Sequence, residues 1–143
     1  MRRDPLNILR AILLAACGAL LMSACSTAFV RDTGLDKLAP RKAEQQLSSG
    51  IRAYEDGNYK SAQGHLQGAL DAGLILNSDK VVAHKYLAFI HCAHGRVSQC
   101  REEFRQALQL DPKFELGQTE AGHPAWGPVF KSVKAEMAKK QQK

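Results

Sequence analysis

The feature that most constrains this chain is an internal repeat, because residues of the same kind recur when the sequence is compared with itself at an offset of 38 positions. The aligned pairs are Gly57 with Gly95, Ala62 with Cys100, Leu66 with Phe104, Ala69 with Ala107 and Leu70 with Leu108. Periods of roughly 20–50 residues are typical of architectures in which each unit packs on its neighbours. The 143 residues allow about one such domain, which excludes a multidomain enzyme.

Both copies resemble the tetratricopeptide repeat. In the second copy, the matching residues are Tyr86-Leu87-Ala88, Gly95, Cys100, Phe104, Ala107-Leu108 and Asp111-Pro112. In the first copy, they are Gly50, Tyr54, Gly57-Asn58-Tyr59, Ala62, Leu66 and Ala69-Leu70. The resemblance covers about seventy residues and implies an all-α fold of two helix hairpins, at about 43–76 and 81–113, stacked as an α-solenoid.

The small residues of the repeat allow its two helices to pack closely. Gly50 and Ala88 stand where the first helix of each hairpin meets the second, so that Ala62 and Cys100 can approach closely. The glycine between the two helices of each copy is expected to adopt a positive φ, which glycine tolerates without a steric cost.

The offset of 38 residues is longer than the usual tetratricopeptide period of about 34. We place the additional residues in 72–80, between the two copies. Within this segment, the side chains of Asn77, Ser78 and Asp79 are expected to cap the next helix.

A third repeat would begin at Glu115, but glycine or proline interrupts it at positions 117, 122, 124, 127 and 128. Two hairpins leave apolar surface uncovered at the ends of the stack. About three repeats are needed for independent stability, so another element must cover this surface. Pro128 is therefore predicted to start a capping helix against which Trp126 packs. The apolar residues of this helix are Phe130, Val133 and Met137. Residues 114–143 are thus predicted to form a loop and a capping helix with a basic tail.

The N-terminus has the pattern of a secretory signal peptide, predicted at residues 1–24. Arg2, Arg3 and Arg10 form a basic start, and the run 11–22 carries no charge. This run is shorter than the roughly 20 residues that a lasting transmembrane helix needs.

The end of this segment resembles the lipobox of bacterial lipoproteins, with the sequence Leu21-Met22-Ser23-Ala24-Cys25. The resemblance implies that Cys25 carries a covalent lipid, that no other cofactor is needed, and that 25–40 forms a lipidated tether. Because Ser26 is not Asp, it also implies sorting to the outer membrane, facing the periplasm. Two alternatives stay open, namely a lipobox ending at Cys17 and an uncleaved N-terminal anchor.

The tetratricopeptide resemblance also implies a partner-binding groove on the first helix of each hairpin. The groove positions are Leu47, Ile51, Tyr54, Lys85, Phe89 and Cys92. An apolar surface with one cation suits a short peptide whose carboxylate binds Lys85. Because two repeats make a small groove, the chain's own segment around Phe29-Val30 or around Trp126 could fill it instead.

Histidines and cysteines cluster in the second copy, at His84, His91, His94, Cys92 and Cys100. Their spacing matches no recognised zinc pattern, and His84 and His91 stand where the repeat normally holds packing aromatics, so no metal site is predicted. Whether Cys92 and Cys100 form a disulfide depends on their separation. Free thiols are favoured, because Cys100 occupies a tight-packing position that usually takes alanine.

The sequence contains no recognised motif for serine, zinc or phosphate chemistry, so it does not predict an enzyme. It predicts an outer-membrane lipoprotein scaffold or assembly factor that binds a protein partner of a cell-envelope machine, such as one for pilus assembly or type VI secretion. A secretion or pilus accessory protein with a mainly structural role is the alternative, and a metal-binding module is the rival class. Despite a net charge of +6, no aromatic and basic interleaving points to a nucleic-acid partner.

Overall fold

The computed structural model describes residues 42–141, which form helices without any strand in that range. The helices are α1 (Lys42–Glu55), α2 (Tyr59–Asp71), α3 (Asn77–Ala93), α4 (Val97–Leu110), α5 (Gln118–Ala121) and α6 (Gly127–Gln141). The predicted all-α fold is confirmed. None of these helices combines the length and the apolar character that a membrane span requires. The predicted signal peptide, Cys25 and the tether lie outside the described residues.

The two hairpins are built around the same turn. Helix α1 packs along α2, and α3 packs along α4. Gly57 and Gly95 have φ values of 75° and 71°, in the left-handed region that favours glycine. In each turn, the N–H after the glycine donates to the carbonyl five residues back, at 2.8 and 2.9 Å. The predicted requirement for a positive φ is confirmed in both copies.

A polar pair links the helices of each hairpin at equivalent positions. Gln46 Oε1 lies 2.7 Å from His65 Nδ1 in the first hairpin, and His84 Nδ1 lies 2.7 Å from Glu103 Oε2 in the second. Histidine stands on the second helix in one pair and on the first helix in the other. The repeat therefore preserves the contact between the helices while the partners exchange places.

Gly50 is the small residue that lets α1 approach α2. A Cβ atom added to Gly50 would lie 2.7 Å from Leu66 Cγ and 3.1 Å from the backbone nitrogen of Leu66. The close approach is as predicted, although its nearest partner is Leu66 rather than Ala62. Leu66 itself is fully buried, so its side chain has no free space into which to move.

The start of the second hairpin differs from the prediction. Helix α2 ends at Asp71, and Gly73 adopts a φ of 86° in the loop that follows. The N-cap residue of α3 is Leu76, and no side chain caps this end, so the predicted capping by Asn77, Ser78 and Asp79 is wrong. Leu74 in this loop is buried, and the chain enters α3 at Asn77. The three polar residues consequently form the first turn of α3.

The C-terminal helix closes the open side of the second hairpin. Helix α6 packs against α4, and it buries Phe130 and Val133 while Met137 is half-buried. The ring of Phe130 lies edge-on to that of Phe104, with centroids 5.1 Å apart. Helix α6 therefore supplies the apolar neighbour that a third repeat would provide.

A disulfide joins Cys92 to Cys100, so the expectation of free thiols is wrong. The turn at Gly95 brings the end of α3 and the start of α4 together, with the two Cα atoms 5.2 Å apart. This separation lies within the range that a disulfide spans. The small volume of a half-cystine also satisfies the tight-packing position of Cys100, which is fully buried.

Removing this disulfide is expected to lower the free energy of unfolding by about 2–3 kcal/mol, because a short closed loop no longer restricts the unfolded chain. Urea unfolding with and without a reductant measures the difference. The double variant Cys92→Ala/Cys100→Ala is the control, because the reductant should leave its unfolding midpoint unchanged. Two reactive thiols from this pair in the denatured, unreduced protein would contradict the prediction.

Candidate protein-binding groove

The six residues predicted to line the groove lie on α1 and α3, where much of their surface is covered. Leu47, Phe89 and Cys92 are buried, and Phe89 retains only 2% of its exposure. The sulfur of Cys92 is also held in the disulfide. The half-buried positions are Ile51, Tyr54 and Lys85. Their role in binding a partner stays a prediction.

Aromatic rings connect the two hairpins at this face. The ring of Tyr54 lies edge-on to those of Tyr86 and Tyr59, with centroid distances of 4.9 and 5.4 Å. Tyr54 also lies 6.4 Å from Phe89. Tyr59 and Tyr86 entered the sequence prediction only as parts of the repeat signature, so their place beside the groove was missed. Tyrosine is enriched at protein interfaces because it combines an apolar ring with a polar hydroxyl.

The segment 115–126, called the strap below, covers the part of the groove that α3 supplies. Trp126 at its end stacks on Phe89, with ring centroids 4.4 Å apart and an interplanar angle of 20°. The indole Nε1 donates to the backbone oxygen of Glu120 at 2.9 Å. Of the two segments considered as internal occupants, the one around Trp126 lies against the groove, and Phe29-Val30 lies outside the described residues.

The sequence predicts that Lys85 binds a partner's carboxylate. In the structure, Lys85 forms an ion pair within the chain. Its Nζ lies 2.6 Å from Glu120 Oε1 and also sits over the rings of Tyr86 and Phe89, at 4.7 and 5.6 Å from their centroids. The other oxygen, Glu120 Oε2, accepts from the backbone nitrogen of Gly117 at 2.9 Å. Sequence reasoning missed Glu120, because no local pattern relates it to a lysine 35 positions earlier.

The phenol of Tyr54 is held in its neutral form. Burial raises the pKa of Tyr54 to about 12, and the nearby Tyr59, Tyr86 and the carboxylate of Glu120 add to the increase. The hydroxyl therefore keeps its proton at physiological pH and can donate a hydrogen bond. The Glu120 carboxylate thus acts on both Lys85 and Tyr54.

The histidines and cysteines considered as metal ligands have other partners. His84 pairs with Glu103, and His94 Nδ1 lies 2.7 Å from the backbone oxygen of Ile90. Arg96 Nε donates to His91 Nδ1 at 2.9 Å, and the cysteines form the disulfide. Within residues 42–141, no group of three or more His, Cys, Asp or Glu side chains is arranged to hold a metal ion.

Acidification is expected to destabilise the protein through His91. Burial, and then the neighbouring Arg96, lower the pKa of His91 below its ordinary value of 6.5. Because this pKa is lower in the folded than in the unfolded state, the contribution of His91 to stability is fully present above about pH 6.5. It is lost as the pH falls through the lower, folded-state pKa.

Thermal unfolding between pH 7.5 and pH 5 measures this effect as a falling midpoint temperature. His91→Gln, which has no titrating group at this position, should show a smaller loss over the same range. Equal losses in His91→Gln and in the native chain would contradict the assignment to His91.

Comparison with known proteins supports the repeat directly. Residues 81–114, which include α4 and most of α3, match the tetratricopeptide repeat family. No curated protein and no solved structure matches the chain significantly. The chain therefore contains a tetratricopeptide repeat and has the helical fold that such repeats build. Repeats of this family commonly form protein-interaction modules.

Proposed function

We propose that this chain is an outer-membrane lipoprotein that binds a protein partner of a cell-envelope machine. The observation that carries the proposal is the aromatic surface left open beside the strap. Ile51 and Tyr54 are half-buried there, and Tyr59 is 40% exposed. These residues form an apolar surface with polar tips on a helical repeat, which suits a protein or peptide ligand.

The proposed membrane attachment is supported by the N-terminal sequence. The uncharged run 11–22 and the lipobox-like residues before Cys25 suit export and lipidation. A tether at 25–40 spans up to about 3.3–3.6 Å per residue when extended, so it would let the folded part reach a partner on the order of 50 Å from the membrane. The covalent lipid is the only cofactor that the proposal needs, and the repeat acts as a scaffold rather than as an enzyme.

A mainly structural role in a secretion system or a pilus is the second candidate. The strap favours it, because Trp126 and Glu120 already occupy Phe89 and Lys85. In that case, the chain would contribute its folded shape to an assembly without exchanging a ligand at the groove.

Site-specific photocrosslinking in cells tests the binding surface. A photoreactive phenylalanine analogue at position 59 should give a crosslinked product of defined mass. The same analogue at position 131, exposed on α6, should give none. Equal products from the two positions, or no product from position 59, would reject the aromatic surface as the binding site.

Labelling with a radioactive fatty acid tests the anchor. The label should be lost in Cys25→Ser and kept in Cys17→Ser, because only the first change removes the proposed acceptor sulfur. If only Cys17→Ser loses the label, the lipid is attached at the alternative lipobox. If neither the native protein nor the variants carry the label, lipidation is rejected.

A further inference from the structure

The strap is attached to α3 by two side-chain contacts. Glu120 pairs with Lys85, and Trp126 stacks on Phe89. Among the described helices, α5 has close backbone contacts with α6 alone, and α5 itself buries no residue. A carboxylate and an indole of the strap therefore contact the groove positions Lys85 and Phe89, while Leu116 of the strap is buried in the core cluster that contains Phe89.

The two contacts are of the kind that a peptide ligand supplies. A lysine ammonium accepts a carboxylate from any chain, and a phenylalanine face accepts any aromatic ring in an offset stack. The side chains of Lys85 and Glu120 retain 16% and 28% of their exposure, so solvent reaches the ion pair. Pairs exposed to this extent contribute little to stability.

We propose that the strap is an internal ligand, and that the protein's partner is a peptide segment with a carboxylate six positions before an aromatic residue. The proposal rests on the function proposed above, since it names the chemistry of the partner for the same groove. Such a segment binds Lys85 and Phe89 in place of Glu120 and Trp126. The partner supplies an ion pair and a stacked ring equivalent to those that the strap releases, and its further contacts must offset the entropy cost of association, which the strap, as part of the same chain, does not carry. The strap thereby excludes peptides that lack either group.

Glu120→Gln is the variant that tests this proposal. It keeps the size of the side chain while removing the charge that binds Lys85, so the strap should open more readily. The matched control is Glu115→Gln, which lies in the same strap but pairs with Lys134 rather than with the groove. Circular dichroism of both full-length variants in detergent checks that their helicity is unchanged.

The probe is a fluorescein-labelled peptide with the sequence of residues 115–126, and its anisotropy reports binding. Glu120→Gln should bind it about two- to fivefold more tightly than the native chain or Glu115→Gln, which is the gain expected from removing an ion pair that solvent reaches. Adding Lys85→Ala to Glu120→Gln should abolish that gain. Equal affinities for the native chain and Glu120→Gln, or a gain that survives Lys85→Ala, would overturn the proposal. With an unlabelled peptide that carries phenylalanine in place of its own tryptophan, the emission of Trp126, the single tryptophan of the chain, should shift to longer wavelength as the peptide displaces it.

Crosslinking from position 59 separates this inference from the proposed function. If both are right, Glu120→Gln increases the yield of the crosslinked partner several-fold, while Glu115→Gln leaves it unchanged. An equal yield in the native chain and both variants overturns the internal-ligand proposal but keeps the binding surface. No crosslinked product in any of the three rejects the binding function, and the peptide measurement then decides the strap's role alone.

Discussion

Replacing Gly127 by alanine is expected to lower the free energy of unfolding by about 3 kcal/mol, at the upper end of the usual cost of overpacking. A Cβ atom at this position would lie 2.3 Å from the backbone oxygen of Ala121 and 3.2 Å from its carbonyl carbon. Neither atom can rotate away as a flexible side chain would. To relieve the clash, the start of α6 must move away from Ala121. This movement would also displace Trp126, which directly precedes Gly127. Urea unfolding followed by helicity measures the loss.

Gly64→Ala is the matched control for this change. Gly64 lies inside α2, and a Cβ atom there would meet nothing within 4 Å. Alanine should therefore stabilise the protein by about 0.5–1 kcal/mol, through its better helix propensity alone. If both variants unfold at the same urea concentration, the close packing of Gly127 against Ala121 does not exist in solution.

The hairpins could be predicted from the sequence because the information for them is local. A glycine that must adopt a positive φ, such as Gly57 or Gly95, and a small residue at a helix crossing, such as Gly50, each act within one hairpin of about 34 residues. Repetition of the same spacing in the second copy then separates the pattern from chance. The capping helix was predictable for the same reason, since Phe130 and Val133 recur at helical spacing.

The filling of the groove could not be predicted, because it depends on contacts between distant residues. Glu120 and Trp126 lie in a glycine- and proline-rich stretch without periodicity, and they meet α3 through side chains alone. The strap around Trp126 was one of two segments that could have filled the groove, and no local signal chose between them. The sequence therefore predicts a partner's carboxylate at Lys85, whereas the structure places Glu120 there.

The disulfide could not be predicted for a different reason. The repeat pattern indicates only the volume available at Cys100, since the repeat usually places alanine there. Volume does not report the separation of two Cα atoms, and that separation depends on how the turn at Gly95 brings α3 back along α4. A half-cystine and an alanine satisfy the same packing position, so the sequence pattern alone is compatible with either state.

Phe104→Ala is expected to cost about 3–5 kcal/mol of unfolding free energy, the usual range for truncating a buried phenylalanine. Phe104 is fully buried, and its ring lies 6.2 Å from Phe89 under the groove and 5.1 Å from Phe130 on the capping helix. Since a small domain has a total stability of about 5–15 kcal/mol, this change alone removes a large share of it. The control is Phe114→Ala, whose ring is half-buried and 5.5 Å from Phe130, so its loss should be less than half as large.

Because Phe104 contacts both the groove and the capping helix, its truncation should weaken the two together. Urea unfolding of Phe104→Ala, followed in parallel by helicity and by Trp126 emission, should show both midpoints shifted to lower urea by the same amount. A shift in the Trp126 signal alone would mean that the strap and the groove unfold independently of α6. Equal losses in Phe104→Ala and Phe114→Ala would contradict the central position of Phe104 in this cluster.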